Sequence, residues 1–172
     1  VDEKYQATAN SFLQSCVKVF TDAPVTLLRE HYRCHPRIID FCNQRFYSGE
    51  LIAMTSDYNE DKVLQVIKTV PGNHARGHFN QREIDVIIQE VMPDYSESAS
   101  VGIITPYRDQ AIAINRALGK DIASTVHKFQ GRECDAIIMS MVDNAPTDFS
   151  DDPNLMNVAI SRAKTKLCVV VN

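Results

Sequence analysis

Four short runs of this chain gather reactive side-chain types closely enough to suggest a ligand. The first is Glu30-His31-Tyr32-Arg33-Cys34-His35-Pro36, which puts a phenol, a guanidinium and two imidazoles on one turn. The ring of Tyr32 can stack on a base, and Arg33 can fork onto phosphate oxygens. The same run also reads as an ordinary polar loop with Tyr32 in the core. A zinc site built from His31, Cys34, His35 and Cys42 is a further reading, although that spacing matches no standard closed site.

The second run is Thr105-Pro106-Tyr107-Arg108-Asp109-Gln110. Pro106 cannot continue a strand and opens a turn into a helix. The Thr105 hydroxyl and the amides that begin that helix suit a phosphate, though a plain strand-to-helix turn has the same composition. The third run, Ser124 to Glu133, strings hydroxyl, imidazole, ammonium, amide and carboxylate groups after one short strand. Gly131 there permits a backbone that a side chain would forbid, and Glu133 can accept hydrogen bonds from ribose hydroxyls. A solvated loop is the alternative. The fourth run is Met156 to Lys164, in which Val158, Ala159 and Ala163 give a small packing face and Arg162 projects from the helix end. An arginine offered to a γ-phosphate held by another domain is worth about 10³–10⁵ in rate in phosphoryl transfer. A surface arginine near a helix C-terminus is the plainer reading.

These runs need elements to hold them. Val25–Glu30 reads as a strand, followed by a helix over Arg37–Phe46 with Ile38, Phe41, Cys42 and Phe46 on one face. Residues 48–61 read as a polar loop, Val63–Val70 as a strand stopped by Pro71-Gly72, and 71–79 as a further loop. Asn80 with Glu83 three residues on has the form of a capping box, starting a helix that runs to about Met92 with Ile84, Ile87, Ile88 and Val91 inward. Strands are expected at Val101–Thr105, Ala123–Val126, Ala136–Val142 and Leu167–Val171, and helices at Asp109–Gly119 and Asn154–Lys164. Residues 144–153, rich in Asp, Asn and Pro, read as a loop. Strands that do not alternate cleanly, separated by helices, predict an α/β fold with a parallel sheet buried on both faces. Ligands in such sheets sit beyond the carboxyl ends of the strands, which makes the polar run after each strand the place to look.

At 172 residues the chain can be one domain and can bury roughly 70% of its unfolded surface. Its net charge of −4 is not that of an autonomous nucleic-acid binder, so such a role has to come from local groups or from a partner. Five cysteines with no C-x-x-C argue against a disulfide framework and for a reducing, cytoplasmic setting. The longest apolar runs are too short to span a membrane, and the acidic start is not a signal peptide. Both ends read as cut from a longer protein.

Taken in order, the four runs resemble the second, C-terminal RecA-like domain of superfamily 1 helicases, in the branch that includes the nonsense-mediated-decay helicase. Tyr32-Arg33-Cys34-His35-Pro36 resembles a tyrosine–arginine–x–histidine–proline box, and Ile39, Phe41, Phe46-Tyr47 and Gly49-x-Leu51 continue the pattern. Thr105-Pro106-Tyr107, His127 to Glu133, and Ala159 to Lys164 match in turn. Cys34 stands where methionine is frequent, and Ser161 where threonine is frequent. The likeness runs from about Val25 to Val171, with residues 1–24 as a connecting segment of the same domain.

That resemblance implies a three-layer RecA-like, P-loop-NTPase-like fold and a set of roles. Tyr32, Arg33, Gly131, Glu133 and Arg162 would line an ATP site, with Glu133 on the ribose and Arg162 as the finger on the γ-phosphate. Arg33, Arg162 and Gln130 would be the catalytic group, with Gln130 and Gly131 forming a wall between nucleotide and strand. Thr105, Pro106, Tyr107, Thr125 and His127 would face single-stranded DNA or RNA. Phosphate contacts of that kind position a strand without reading it.

No G-x-x-x-x-G-K-[ST] occurs in the chain, whose six glycines do not cluster. ATP with Mg²⁺ would therefore be held mainly by a first RecA-like domain upstream, and this chain alone would hydrolyse nothing. A non-catalytic nucleic-acid-binding module, a scaffold that keeps the fold, and a flavodoxin-like mononucleotide enzyme are the rival readings. The first leaves Glu133 and Arg162 without purpose and sits badly with the acidic charge balance, intact polar runs argue against the second, and the third lacks a glycine-rich first turn.

Overall fold

The computed structural model describes all residues except 1, 3, 4, 7, 58–60, 71–74, 146 and 148–151. The expected strand stop at Pro71-Gly72 and positions 146 and 148–151 of the expected loop lie outside the described residues.

The chain begins with helix α1 (Phe12–Val19), which the sequence reading did not anticipate. Its N-terminus is closed by a full capping box: Ser11 Oγ accepts from Gln14 N, and Gln14 Oε1 accepts from Ser11 N. None of its side chains is buried. The strand expected over Val25–Glu30 does not form there. Val25 and Leu28 are 80% and 84% exposed, and only Glu30–His31 (β1) pairs, in parallel with Ile52–Ala53 (β2). An apolar run signals a buried strand only when the chain carries it into a core, and here it passes outside. The pairing also places a short strand inside the stretch read as loop.

Helix α2 (Pro36–Phe46) starts with proline at its first position, and His35 Nδ1 accepts from Arg37 N at 3.2 Å as the cap. It buries Ile38, Ile39 and Cys42, whereas Phe41, expected inward, is exposed. Strand β3 (Leu64–Lys68) follows, then a hairpin of Ala75–Arg76 (β4) and Phe79–Asn80 (β5) within the expected 71–79 loop. Helix α3 (Gln81–Val86) leaves its Asn80 cap and passes into a π turn at Ile87–Val91 and a 3₁₀ turn at Met92–Asp94, where Pro93 ends it.

The remaining elements are β6 (Val101–Thr105), α4 (Arg108–Leu118), β7 (Ala123–Thr125), the one-turn α5 (Val126–Phe129), β8 (Cys134–Ser140), α6 (Pro153–Ile160) and β9 (Ala163–Val171). Two boundaries correct the sequence reading. The last helix ends at Ile160 instead of Lys164, because Ala163 already pairs with Cys134 and the strand claims the next residues. Strand β8 begins and ends two residues earlier than expected, and Val142 takes a left-handed φ of 70°.

Five strands form one parallel sheet in the order β3-β9-β8-β6-β7. Central β8 shows why it reads as continuously apolar. Ile137 and Met139 join Ile104 and Leu167 on one side, against α2, α5 and α6. Ile138 joins Ile103, Cys168 and Val170 on the other, against α3, its π turn and α4. Helices therefore cover both faces, the three-layer arrangement expected. Each fully buried aliphatic side chain contributes about 1.5–3 kcal/mol.

Gly102 in β6 has a specific role. A Cβ there would meet Cζ of Phe129 at 2.3 Å. The bare backbone lets Phe129 lie over the sheet, which anchors α5 and fixes where the residues on either side of it emerge.

Candidate functional site

Because the strands are parallel, the sheet has an amino edge and a carboxyl edge, and the four polar runs divide between them. The expectation that all lie beyond carboxyl ends is only half met. Pro106-Tyr107 follows β6 and Thr125–His127 ends β7, at the carboxyl edge. Glu133 immediately precedes β8 and Arg162 immediately precedes β9, at the amino edge. Spacing along the chain could not separate these, since the third run passes from one edge to the other through α5.

At the amino edge, Glu30, His31, Tyr32, Arg33, Glu133 and Lys164 line an open cleft of about 510 Å³. Several bonds bring the first run against the start of β9. The His35 amide donates to the carbonyl of Lys164 at 2.6 Å, and the Cys34 thiol lies 3.5 Å from the carbonyl of Ser161. Arg33 Nε sits 2.7 Å from Glu133 Oε1, and Lys164 Nζ sits 3.9 Å from Glu133 Oε2. The Tyr32 hydroxyl donates to Glu30, which raises its pKa, and its ring is 67% exposed in the cleft instead of belonging to the core. Burial, aided by the nearby Arg33 charge, lowers the pKa of His31, and its Nε2 accepts from the Cys34 amide at 3.0 Å. A neutral imidazole does both.

Arg162 does not line this cleft. It is half-buried, and its Nε donates to the carbonyl of Val158 at 3.2 Å, folding the side chain back along the end of α6. Its own carbonyl accepts from the Cys134 amide at 3.1 Å, which holds it beside the start of β8. Gln130 and Gly131 are exposed in the turn after α5, and Gly131 has the left-handed φ of 82° that favours glycine. The zinc grouping does not assemble. His35 caps α2, and among the described residues no three His, Cys, Asp or Glu come together to hold a metal.

At the carboxyl edge, Pro106, Tyr107, Thr125, Val126 and His127 line a second cleft of about 410 Å³, with Asp152 and Leu155 from the start of α6. The Tyr107 hydroxyl donates to Asp143 at 2.8 Å, and its ring stacks on His78 at 4.2 Å with 7° between planes. His78 belongs to the β4–β5 turn. It lies outside all four polar runs, and only the fold brings it here. Asp152 caps α6, accepting from Asn154 N at 2.8 Å and Leu155 N at 3.2 Å. Thr105 stands apart from the other four residues of its group. It is fully buried, with a hydroxyl that finds no partner among the described residues, and it does not line the cleft.

Sequence reading also missed the buried group behind this cleft. Glu83 forms only half of the expected capping box: Asn80 Oδ1 accepts from Glu83 N at 3.2 Å, but the Glu83 carboxylate turns inward. It accepts from Ser140 Oγ at 2.7 Å and from the Val142 amide at 3.0 Å on both oxygens. Gln110 completes the group, donating to Ser140 Oγ at 2.9 Å and accepting from Asn80 N at 3.0 Å. Burial pushes the Glu83 carboxyl up to about 7, against the pull of these donors. A glutamate three residues after an asparagine signals a cap, and nothing local reveals that β8 ends opposite it.

Comparison with known proteins agrees with this arrangement. The model of a family described as "AAA domain" matches residues 8–172. The chain is 32% identical over 166 residues to the mouse 5'-3' DNA helicase ZGRF1, covering 84% of this chain and 9% of that protein. It is 29% identical to helicase sen1 of Schizosaccharomyces pombe, covering 85% of this chain and 10% of that protein. It is also 29% identical to regulator of nonsense transcripts 1 of Dictyostelium discoideum, covering 82% of this chain and 13% of that protein. The chain thus spans about a tenth of the length of these relatives. Among solved structures, the C-terminal domain of a possible DNA helicase from Lactobacillus plantarum WCFS1 superposes with a TM-score of 0.56 at 18% identity, covering 81% of this chain and 86% of that one, a likeness of fold. No described helix is long and apolar enough to cross a membrane. With the family model matched over nearly its whole length, the chain belongs to the AAA-domain family that forms the C-terminal, RecA-like domain of superfamily 1 helicases.

Proposed function

We propose that this chain is the second motor domain of an ATP-dependent helicase or translocase that moves along single-stranded DNA or RNA. Residues 25–172 form the motor body, and residues 1–24 connect it to an upstream RecA-like domain. The observation that carries the reading is the run from Thr125 to Glu133, whose ends line the two clefts on opposite edges of one sheet. A displacement at one end of this run is passed to the other through α5, which Phe129 pins over Gly102.

The amino-edge cleft fits part of a nucleotide. Tyr32 offers an exposed ring for a base, Arg33 and Lys164 offer cations for phosphate oxygens, and Glu133 offers a carboxylate for ribose hydroxyls. It fits only part, since the chain carries neither a glycine-rich phosphate loop nor a carboxylate group suited to Mg²⁺ among the described residues. ATP with Mg²⁺ is held mainly by the upstream domain and supplies the bond that is cleaved. Arg33 and Arg162 then stabilise charge on the phosphates when the two domains close. Gln130 and Gly131 form the wall between nucleotide and strand. At the carboxyl edge, Pro106, Tyr107, Thr125 and His127 contact the strand backbone, and Thr105 supports that segment from within.

Phosphate release tests this reading. The isolated chain is expected to release none from ATP, with or without a single strand, while the whole protein releases it in a strand-stimulated way. Hydrolysis by the isolated chain that Arg162→Ala abolishes would contradict it.

A further inference from the structure

A third hollow, a groove of about 440 Å³, runs between α4 and the edge strand β7. Arg108, Lys128 and Arg132 line it, and none of the three makes an ion pair among the described residues. That is unusual in a chain whose net charge is −4. Three unneutralised cations lining one groove repel one another. Among the described residues Asp121 is the groove's one carboxylate, and it accepts a hydrogen bond from the Asn115 amide at 3.0 Å. The Arg132 guanidinium is steadied over the Phe129 ring, 5.1 Å from its centre. The Ser124 hydroxyl in the groove wall makes no hydrogen bond among the described residues. Among the described residues no aromatic side chain lines the groove, which leaves no ring there on which to stack a base. Its chemistry suits phosphates.

Thr125 lines both this groove and the Tyr107–His127 cleft, so the two adjoin there. We infer that the groove is an extension of the strand path, in which Arg108, Lys128 and Arg132 take the sugar–phosphate backbone of the same single strand once it has passed Tyr107 and His127. The inference rests on the function proposed above. It assigns three residues outside the expected strand group and makes the footprint on this domain longer than the carboxyl-edge cleft alone.

The test is equilibrium binding by the whole protein, over a range of salt, to oligo-dT and oligo-U of increasing length. Arg108→Gln, Lys128→Gln and Arg132→Gln are combined in one variant, and the Lys replacements of both arginines serve as the charge-preserving control. All three side chains are exposed. Single-strand binding loses a salt slope of about 0.7 per phosphate contact removed. The triple variant is therefore expected to lose about two units of slope and roughly tenfold in affinity for long oligonucleotides, with the shortest that bind unaffected. The Lys control is expected to keep the slope. Comparing dT with U tells which backbone the groove takes. An unchanged slope in the triple variant, while Tyr107→Ala weakens binding, overturns the inference and leaves the proposed function standing; the groove then faces solvent or an acidic protein. Absence of strand binding by the unsubstituted protein overturns both.

Discussion

The guanidinium of Arg33 lies 2.7 Å from the carboxylate of Glu133, joining the segment after β1 to the residue just before β8. Their side chains are 38% and 32% exposed, so the pair contributes at most about 1 kcal/mol to stability. On the proposed function, its value lies in holding in one place two groups proposed to face the nucleotide. Arg33→Gln and Glu133→Gln are each expected to leave the melting temperature within about 3 °C of the parent while raising the KM for ATP of the whole protein. For Glu133→Gln, KM is expected to change more than kcat, because a ribose contact is made in ground and transition states alike. Thermal melts beside steady-state kinetics check both halves. A large melting shift with unchanged KM would make the pair structural.

Glu83 links stability to pH. Burial lifts its carboxyl from the ordinary 4.5 to about 7. Between those values the folded state binds more protons than the unfolded one, so this group makes stability fall as pH rises through the window. Both Glu83 oxygens lie 3.0 Å from the amide of Val142, which has a left-handed conformation. Glu83→Gln is expected to cost roughly 1–3 kcal/mol, because an amide cannot accept from every donor around it, and to flatten the fall in stability between pH 5 and 8. Urea melts at both pH values measure it. An equal fall in parent and variant would show that another group carries the dependence.

Gly102→Ala is expected to destabilise the chain by about 1–3 kcal/mol, because its Cβ would press on Phe129 Cζ at 2.3 Å and neither the inner strand β6 nor the buried ring can move freely. Shortening the ring in the Gly102→Ala, Phe129→Leu double variant is expected to recover part of the loss. Denaturant midpoints for the three proteins decide it, and a single variant as stable as the parent would contradict the packing.

The thiols separate by burial. Burial pushes Cys34 and Cys168 up to about 11 and Cys42 up to about 12, and raises Cys134 as well. All four are buried, while Cys16 on α1 is half-buried. Brief alkylation of the native chain at pH 8 is expected to label Cys16 first and the others only in denaturant. Mass spectrometry of the peptides reads this directly, and early labelling of Cys34 would show that the cleft wall opens.

What could be read from the sequence follows from how far each signal reaches. The sheet strands from Val101 to Val171 were legible because β8 and β9 are apolar on both faces, a pattern that a parallel sheet imposes locally. Arg37–Phe46 was legible from Pro36 and its periodicity. Val25–Glu30 misled because hydrophobicity reports what a segment can bury, not whether the chain brings it to a core. The division of the polar runs between two edges was not legible, since Thr125 and Glu133 are separated only by α5 and a turn. The roles of Glu83, Gln110 and His78 were not legible either. Each depends on a partner at least 29 positions away, Ser140, Asn80 and Tyr107 respectively.

The central claim is that this domain completes an ATP site held by another. The most direct test is phosphate release by the whole protein at saturating single strand, for the parent and Arg162→Ala. Removing the finger is expected to lower kcat by about 10³-fold or more while the affinity for the strand stays within about twofold, since Arg162 lies at the amino edge and the strand cleft at the carboxyl edge. Undiminished strand-stimulated hydrolysis in Arg162→Ala would contradict the claim.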